Sequence, residues 1–98
     1  MILPEFALHP APADEAARAM TPTPGVDPVV GTRHRIGGQP LDWPSSEFPV
    51  CPGCGETMTF YGQLDSLPRL EFALADAGVI LNFVCFDCFE VTASLQTG

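Results

Sequence analysis

Two pairs of cysteines carry the chemistry that this chain can do. Cys51-Pro52-Gly53-Cys54 and Cys85-Phe86-Asp87-Cys88 each set two thiols three positions apart, with thirty residues between Cys54 and Cys85. A chain in a reducing compartment seldom keeps four cysteines at this spacing without a use for them. Two thiolates on one tight turn can reach a single ion at about 2.3 Å, and a second such turn completes a tetrahedron. The reading that follows is a structural Zn2+ held by Cys51, Cys54, Cys85 and Cys88. Four protein sulfurs leave no position open for water or substrate, so the metal would be structural rather than catalytic. Iron on the same thiolates satisfies the same chemistry, and the spacing does not separate the two metals.

Two rival uses of the thiols fit less well. A redox-active CxxC belongs at a strand-to-helix junction in a βαβ setting, and neither pair opens a clear helix. Disulfides require export, and the N-terminus carries no Lys or Arg before Arg18 and no sustained apolar run. The first knuckle is well furnished: Pro52 presets its own φ, and Gly55 can take φ above zero. The second has Phe89 where Gly55 stands in the first, so its turn is expected to be built differently.

Other reactive groups are sparse. His9, beside Pro10, reads as a solvated arm residue. His34, between Arg33 and Arg35, reads as a surface position, with a local anion contact as the alternative. Gly37-Gly38 is a turn and follows no strand, so it makes no phosphate loop. The acidic residues show no metal-loop spacing. Most aromatics are expected in the core or around the cysteines. Trp43 and Tyr61 are the two that could anchor a partner, since such residues dominate interfaces. No catalytic residue emerges, and the expectation is that the chain is not an enzyme.

The elements that must position the cysteines can be read from periodicity and breakers. Met58, Phe60 and Leu64 against Thr57, Thr59, Gln63 and Asp65 give a half-buried strand. Gly78 to Cys85 is apolar on both faces apart from Asn82, as in a central strand. Phe89, Val91, Ala93 and Leu95 alternate with Glu90, Thr92, Ser94 and Gln96 in a third. Between the first two, Ser66–Ala77 has Leu67, Leu70, Leu74 and Ala77 at helical spacing, with Ser66 as a possible N-cap and Gly78 as the stop. The expected fold is mainly β: a small antiparallel meander stapled by a zinc-ribbon-like four-cysteine site, with a short helix or helical turn.

Residues 1–30 form a Pro-rich N-terminal arm with six of the eleven prolines, and 31–98 form the zinc-binding β domain. Proline denies the arm a long helix or an inner strand. Only Ala13–Met20 reads as helix, with Asp14 and Glu15 placed well for its dipole. The arm is expected either to strap over the body or to bind a partner. The 68 residues beyond it are few for a self-sufficient core, which at this size supplies roughly 3–5 kcal/mol. Zinc coupled to folding can add on the order of 10 kcal/mol.

With 98 residues, 4 Lys plus Arg and 12 Asp plus Glu, the formal net charge is −8. A tetrathiolate zinc site would bring it to about −10. Nucleic acid and anionic membrane surfaces both call for cations, so neither is an expected partner. No apolar run approaches the roughly 20 residues of a membrane span. The expected compartment is the cytoplasm.

The stretch His34-Arg35-Ile36-Gly37-Gly38-Gln39-Pro40, the knuckle Cys51-Pro52-Gly53-Cys54-Gly55 and the run Met58–Asp65 ending in Gln63-Leu64-Asp65 together resemble the bacterial YwqG-like family, in its zinc-binding branch with paired CxxC motifs. Gly78 to Cys88 supplies the glycine-led strand into the second CxxC. The likeness covers about His34 to Cys88 and extends distantly to the C-terminal domain of the programmed-cell-death-protein-2 family, whose members act as dedicated chaperones for a ribosomal protein. The resemblance implies a fold and a binding role, not a reaction. This chain is far shorter than most of those relatives, and its Ser66–Ala77 segment is more apolar. The functional expectation is a non-enzymatic zinc-binding protein-interaction module whose partner is another protein with a basic surface, in a chaperone- or immunity-like role. A CxxC thiol redox protein and a zinc-ribbon nucleic-acid-binding subunit are the alternatives.

Overall fold

A computed structural model describes residues 2–97. Its strands are β1 (Phe6–Ala7), β2 (Arg35–Ile36), β3 (Thr59–Asp65), β4 (Val79–Val84) and β5 (Val91–Gln96), and its helix is α1 (Glu15–Ala19). They make one five-stranded antiparallel sheet in the order β1-β2-β3-β4-β5. The expected three-strand meander is its centre and one edge, and the other edge comes from the arm.

The arm behaves as its prolines dictate. It contributes a two-residue edge strand and a five-residue helix, the latter capped by Asp14 accepting from the Ala17 amide at 2.9 Å. The glycine pair makes room for it. Gly37 has φ +76°, and a Cβ there would lie 1.9 Å from the Pro4 carbonyl oxygen. The Gly38 amide then donates to Leu3 O at 2.8 Å. Farther along, Thr23 N donates to Pro68 O and Arg69 Nη1 to Thr21 O, which ties the arm to the loop after β3.

Within β3 the expected faces are right up to Phe60 and reversed beyond it. Phe60 pairs with Phe83 and Gly62 with Asn82, so Tyr61 is an extra, bulged residue. One inserted residue exchanges the two faces of everything that follows. Leu64 is therefore half exposed, while Gln63 and Asp65 are buried. Gly62 sits at the bulge because the neighbouring backbone is close: a Cβ would come within 2.7 Å of Arg35 O.

The buried polar residues fasten the 31–41 segment to β3. Asp65 accepts from the amides of Gly31 and Arg33 and from the Arg33 guanidinium, with 2.7 Å from Nη2 to Oδ1. Gln63 donates to Arg33 O at 2.7 Å and accepts from the Leu41 amide at 3.1 Å. His34, expected at the surface, is buried, and its Nδ1 accepts from the Asp65 amide at 3.1 Å. The segment that carries it is drawn inward by the Asp65 and Gln63 bonds.

Met58, Phe60, Leu81 and Phe83 form the core together with Cys51 and Cys85. Phe83 is its hub, with edge-to-face contacts to Phe48 (centroids 5.2 Å apart) and Phe60 (5.8 Å). Trp43 packs on Phe83 too, its Nε1 satisfied by Glu47 O at 3.0 Å. It is thus partly buried against the core, and of the two aromatics singled out only Tyr61 remains half exposed. Ser66 does not cap a helix. Its hydroxyl donates to Gly78 O and accepts from Leu74 N, closing the base of the loop, and the helical element is one 3-10 turn at Leu70–Phe72.

Candidate metal centre

The two knuckles lie at the same end of the sheet, one leading into β3 and the other joining β4 to β5. Each is closed by two matching backbone bonds and by one amide that donates to the first cysteine's sulfur, two residues on in the first knuckle and three residues on in the second. Cys51 N donates to Glu56 O, Gly55 N to Cys51 O and Gly53 N to the Cys51 sulfur. Correspondingly, Cys85 N donates to Glu90 O, Phe89 N to Cys85 O and Cys88 N to the Cys85 sulfur. The expectation that the second turn is built differently is corrected in its backbone frame, which the two shared bonds make alike, and holds only for which amide meets the sulfur. Gly55 has φ +77° and Phe89 has φ +58°, so Phe89 takes the left-handed conformation that glycine takes without strain.

All four sulfurs come together: the ligand atoms of Cys51, Cys54, Cys85 and Cys88 lie within 4.8 Å of one another. Across the knuckles, Cys54 Sγ lies 3.7 Å from Cys85 Sγ. A tetrahedron with metal–sulfur bonds of 2.3 Å has edges of about 3.8 Å, whereas a disulfide needs about 2.05 Å. All four thiols are free. Cys51 and Cys85 face the core, and Cys54 and Cys88 face out. The cluster can hold one metal ion.

Its electrostatics call for a cation. The amides of Cys88 and Asp87 hold the Cys85 thiol below its ordinary range by hydrogen-bonding its thiolate. Cys88 is pushed up to about 12, first by the neighbouring Cys54 sulfur and then by burial and Cys51. Four thiolates this close repel one another, and a bound cation removes that conflict. Among the described residues no other group of three or more His, Cys, Asp or Glu converges in this way. His9 is exposed on the arm and His34 is engaged with β3, so neither joins the cluster.

Sequence reasoning missed the role of Phe89, since nothing in its residue type announces a left-handed φ. It also missed the anchoring of the 31–41 segment by Gln63 and Asp65. The signal for that was available: a glycine after Tyr61 inside a strand marks a bulge.

Fold and cluster together define a mainly β chain with four clustered cysteines that could hold a metal ion. No protein-family model matches the chain, and no solved structure does. The chain is similar to the uncharacterised protein YpfL of Salmonella typhimurium, at 30% identity over 99 residues that include 96% of this chain. That alignment takes in 21% of the relative, so the chain spans about a fifth of its length. Among the described residues no helix is long and apolar enough to cross a membrane.

Proposed function

We propose that this chain is a non-enzymatic protein-interaction module whose knuckles are held by one structural Zn2+. The observation that carries the reading is the convergence of four free sulfurs within 4.8 Å. Zinc is favoured because it prefers tetrahedral thiolate sites and does no redox chemistry of its own. The metal would hold the β3 and β4–β5 ends together, and the binding role would fall to the sheet. Tyr61 and Leu64 are about half exposed and Val91 about three-quarters, on the face turned away from the core. A shallow depression of about 590 Å3 runs beside Tyr61, Val84 and Val91. In a chain of net charge −8, such a face suits a partner with an apolar contact and a basic rim.

The likeness to the zinc-binding YwqG-like branch, carried by the glycine pair, the first knuckle and Gln63-Leu64-Asp65, supports a binding role, and four free thiols suit the reducing cytoplasm. The similarity to part of a longer protein fits a module that works beside other domains.

The test begins with elemental analysis and thiol alkylation of protein purified without added metal. One zinc per chain, with all four thiols shielded until a chelator is added, supports the reading. Iron at that stoichiometry, or reversible two-electron oxidation within one CxxC, contradicts it. For the partner, proteins retained non-covalently by wild type and lost from Val91→Glu should be released as salt is raised.

A further inference from the structure

The two edges of the sheet are protected very differently. β1 is two residues long and lies in a proline-rich arm, so it offers little to pair with. β5 is six residues long, Val91-Thr92-Ala93-Ser94-Leu95-Gln96, and contains no charge and no proline. Charges, prolines, bulges and short length are the usual means of keeping an edge unpaired, and β5 has none of them. The neutral run is conspicuous in so acidic a chain.

The ladder fixes which backbone groups of β5 point outward. Cys85 N donates to Glu90 O, and Val84 faces Val91 in the register. Alternation in an antiparallel pair then turns Thr92, Ser94 and Gln96 toward β4. The N–H and C=O groups of Val91, Ala93 and Leu95 face away from the sheet. Their side chains are the apolar set of the strand and share a face with Val84, Asn82 and Ile80. Val91 is 74% and Leu95 49% exposed.

From this we infer that β5 pairs antiparallel with β5 of a second copy, about a two-fold axis at Ala93, to make a ten-stranded sheet. The strand is self-complementary in that register. Ala93 meets Ala93 of the second copy as a hydrogen-bonded pair, Val91 meets Leu95 and Thr92 meets Ser94. Apolar therefore lies beside apolar and polar beside polar on both faces. The flanking carboxylate of Glu90 falls opposite the amide of Gln96, so no two acidic side chains are brought face to face. Any one-residue shift would set Val91 and Leu95 against the polar face and lose the match. The pairing goes beyond the docking role proposed above but shares Val91 with it, and it would extend the outer face across two copies.

Sedimentation of the metal-loaded chain across micromolar to submillimolar concentration tests this, combined with amide exchange. The expected result is a species of twice the 10.5 kDa chain mass, with the amides of Val91, Ala93 and Leu95 protected in it. Ala93→Lys places like charges across the axis, and Ala93→Pro removes the outward donor without taking a bond from β4. Both should halve the mass and release those amides, with metal content unchanged. Ala93→Lys carries the test if the proline variant does not fold. Leu70→Lys, at an exposed position in the 3-10 turn outside the strands, should remain dimeric. A dimer that survives Ala93→Lys overturns the inference. So does a wild-type monomer whose three amides exchange freely, which would leave the edge to a strand of another protein.

Discussion

Asp65 is a carboxylate with no exposed side-chain surface, and its charge is met by two backbone amides and two guanidinium nitrogens. Burial pushes its pKa up most strongly, but the Arg33 guanidinium and the amides of Arg33 and Gly31 outweigh it and leave it below the usual carboxylate range. A pKa depressed by folding contributes stability that is present above about pH 4 and is lost as the pH falls through the folded value. Asp65→Asn should therefore cost about 3–5 kcal/mol in a denaturant melt near neutral pH, because Arg33 keeps its charge without its partner. The difference between variant and wild type should shrink on acidification. Phe89 makes the opposite case. It is 74% exposed and has φ +58°, so it is strained and little packed. Phe89→Gly should stabilise the metal-loaded protein by about 1 kcal/mol, read from the midpoint of the same melt. A loss of stability would mean that the ring has contacts the fold depends on.

At the scale of elements, the strands β3, β4 and β5 were legible because their apolar residues alternate between turn signals. The α1 helix was legible from Asp14 and the alanines that follow. Two things escaped. The bulge at Tyr61 reversed the faces of Gln63, Leu64 and Asp65, since a period-two pattern carries no record of an inserted residue. The strands β1 and β2 are two residues each, too short for any periodicity, and they exist because Gly37 and Gly38 let the arm approach. Gly37→Ala tests that cause. It adds a Cβ where Pro4 O already sits and forces a positive φ on alanine. The amides of Leu8 and Gly38, which bond to His34 O and Leu3 O, should lose exchange protection while those of β3 and β4 keep theirs.

On the scale of the whole molecule, the four cysteines were fully legible, because CxxC spacing states the local geometry of a metal knuckle in the sequence itself. What the spacing could not state is that the site is also part of the core. Cys51 and Cys85 are buried with Met58, Phe60, Leu81 and Phe83, so two of the candidate metal ligands belong to the hydrophobic core. The long stretch from Gly37 to Met58, which contains a single 3-10 turn at Ser45–Glu47, is held by Gln63, by the aromatic contacts of Phe83 and by the first knuckle. A domain this small has limited core to spare, and losing the ion should cost more than the knuckles alone.

The most direct measurement is a cooperative unfolding transition followed on one preparation, first as purified with its metal content determined, then after removal of the metal by a chelator, and again after zinc is restored. The expected result is one zinc per chain, loss of the cooperative transition and of side-chain dispersion on stripping, and recovery of both with one equivalent of zinc. Cys54→Ser should resemble the stripped protein. A metal-free chain that melts cooperatively at the same midpoint, with the resonances of Phe60 and Phe83 unchanged, would contradict it.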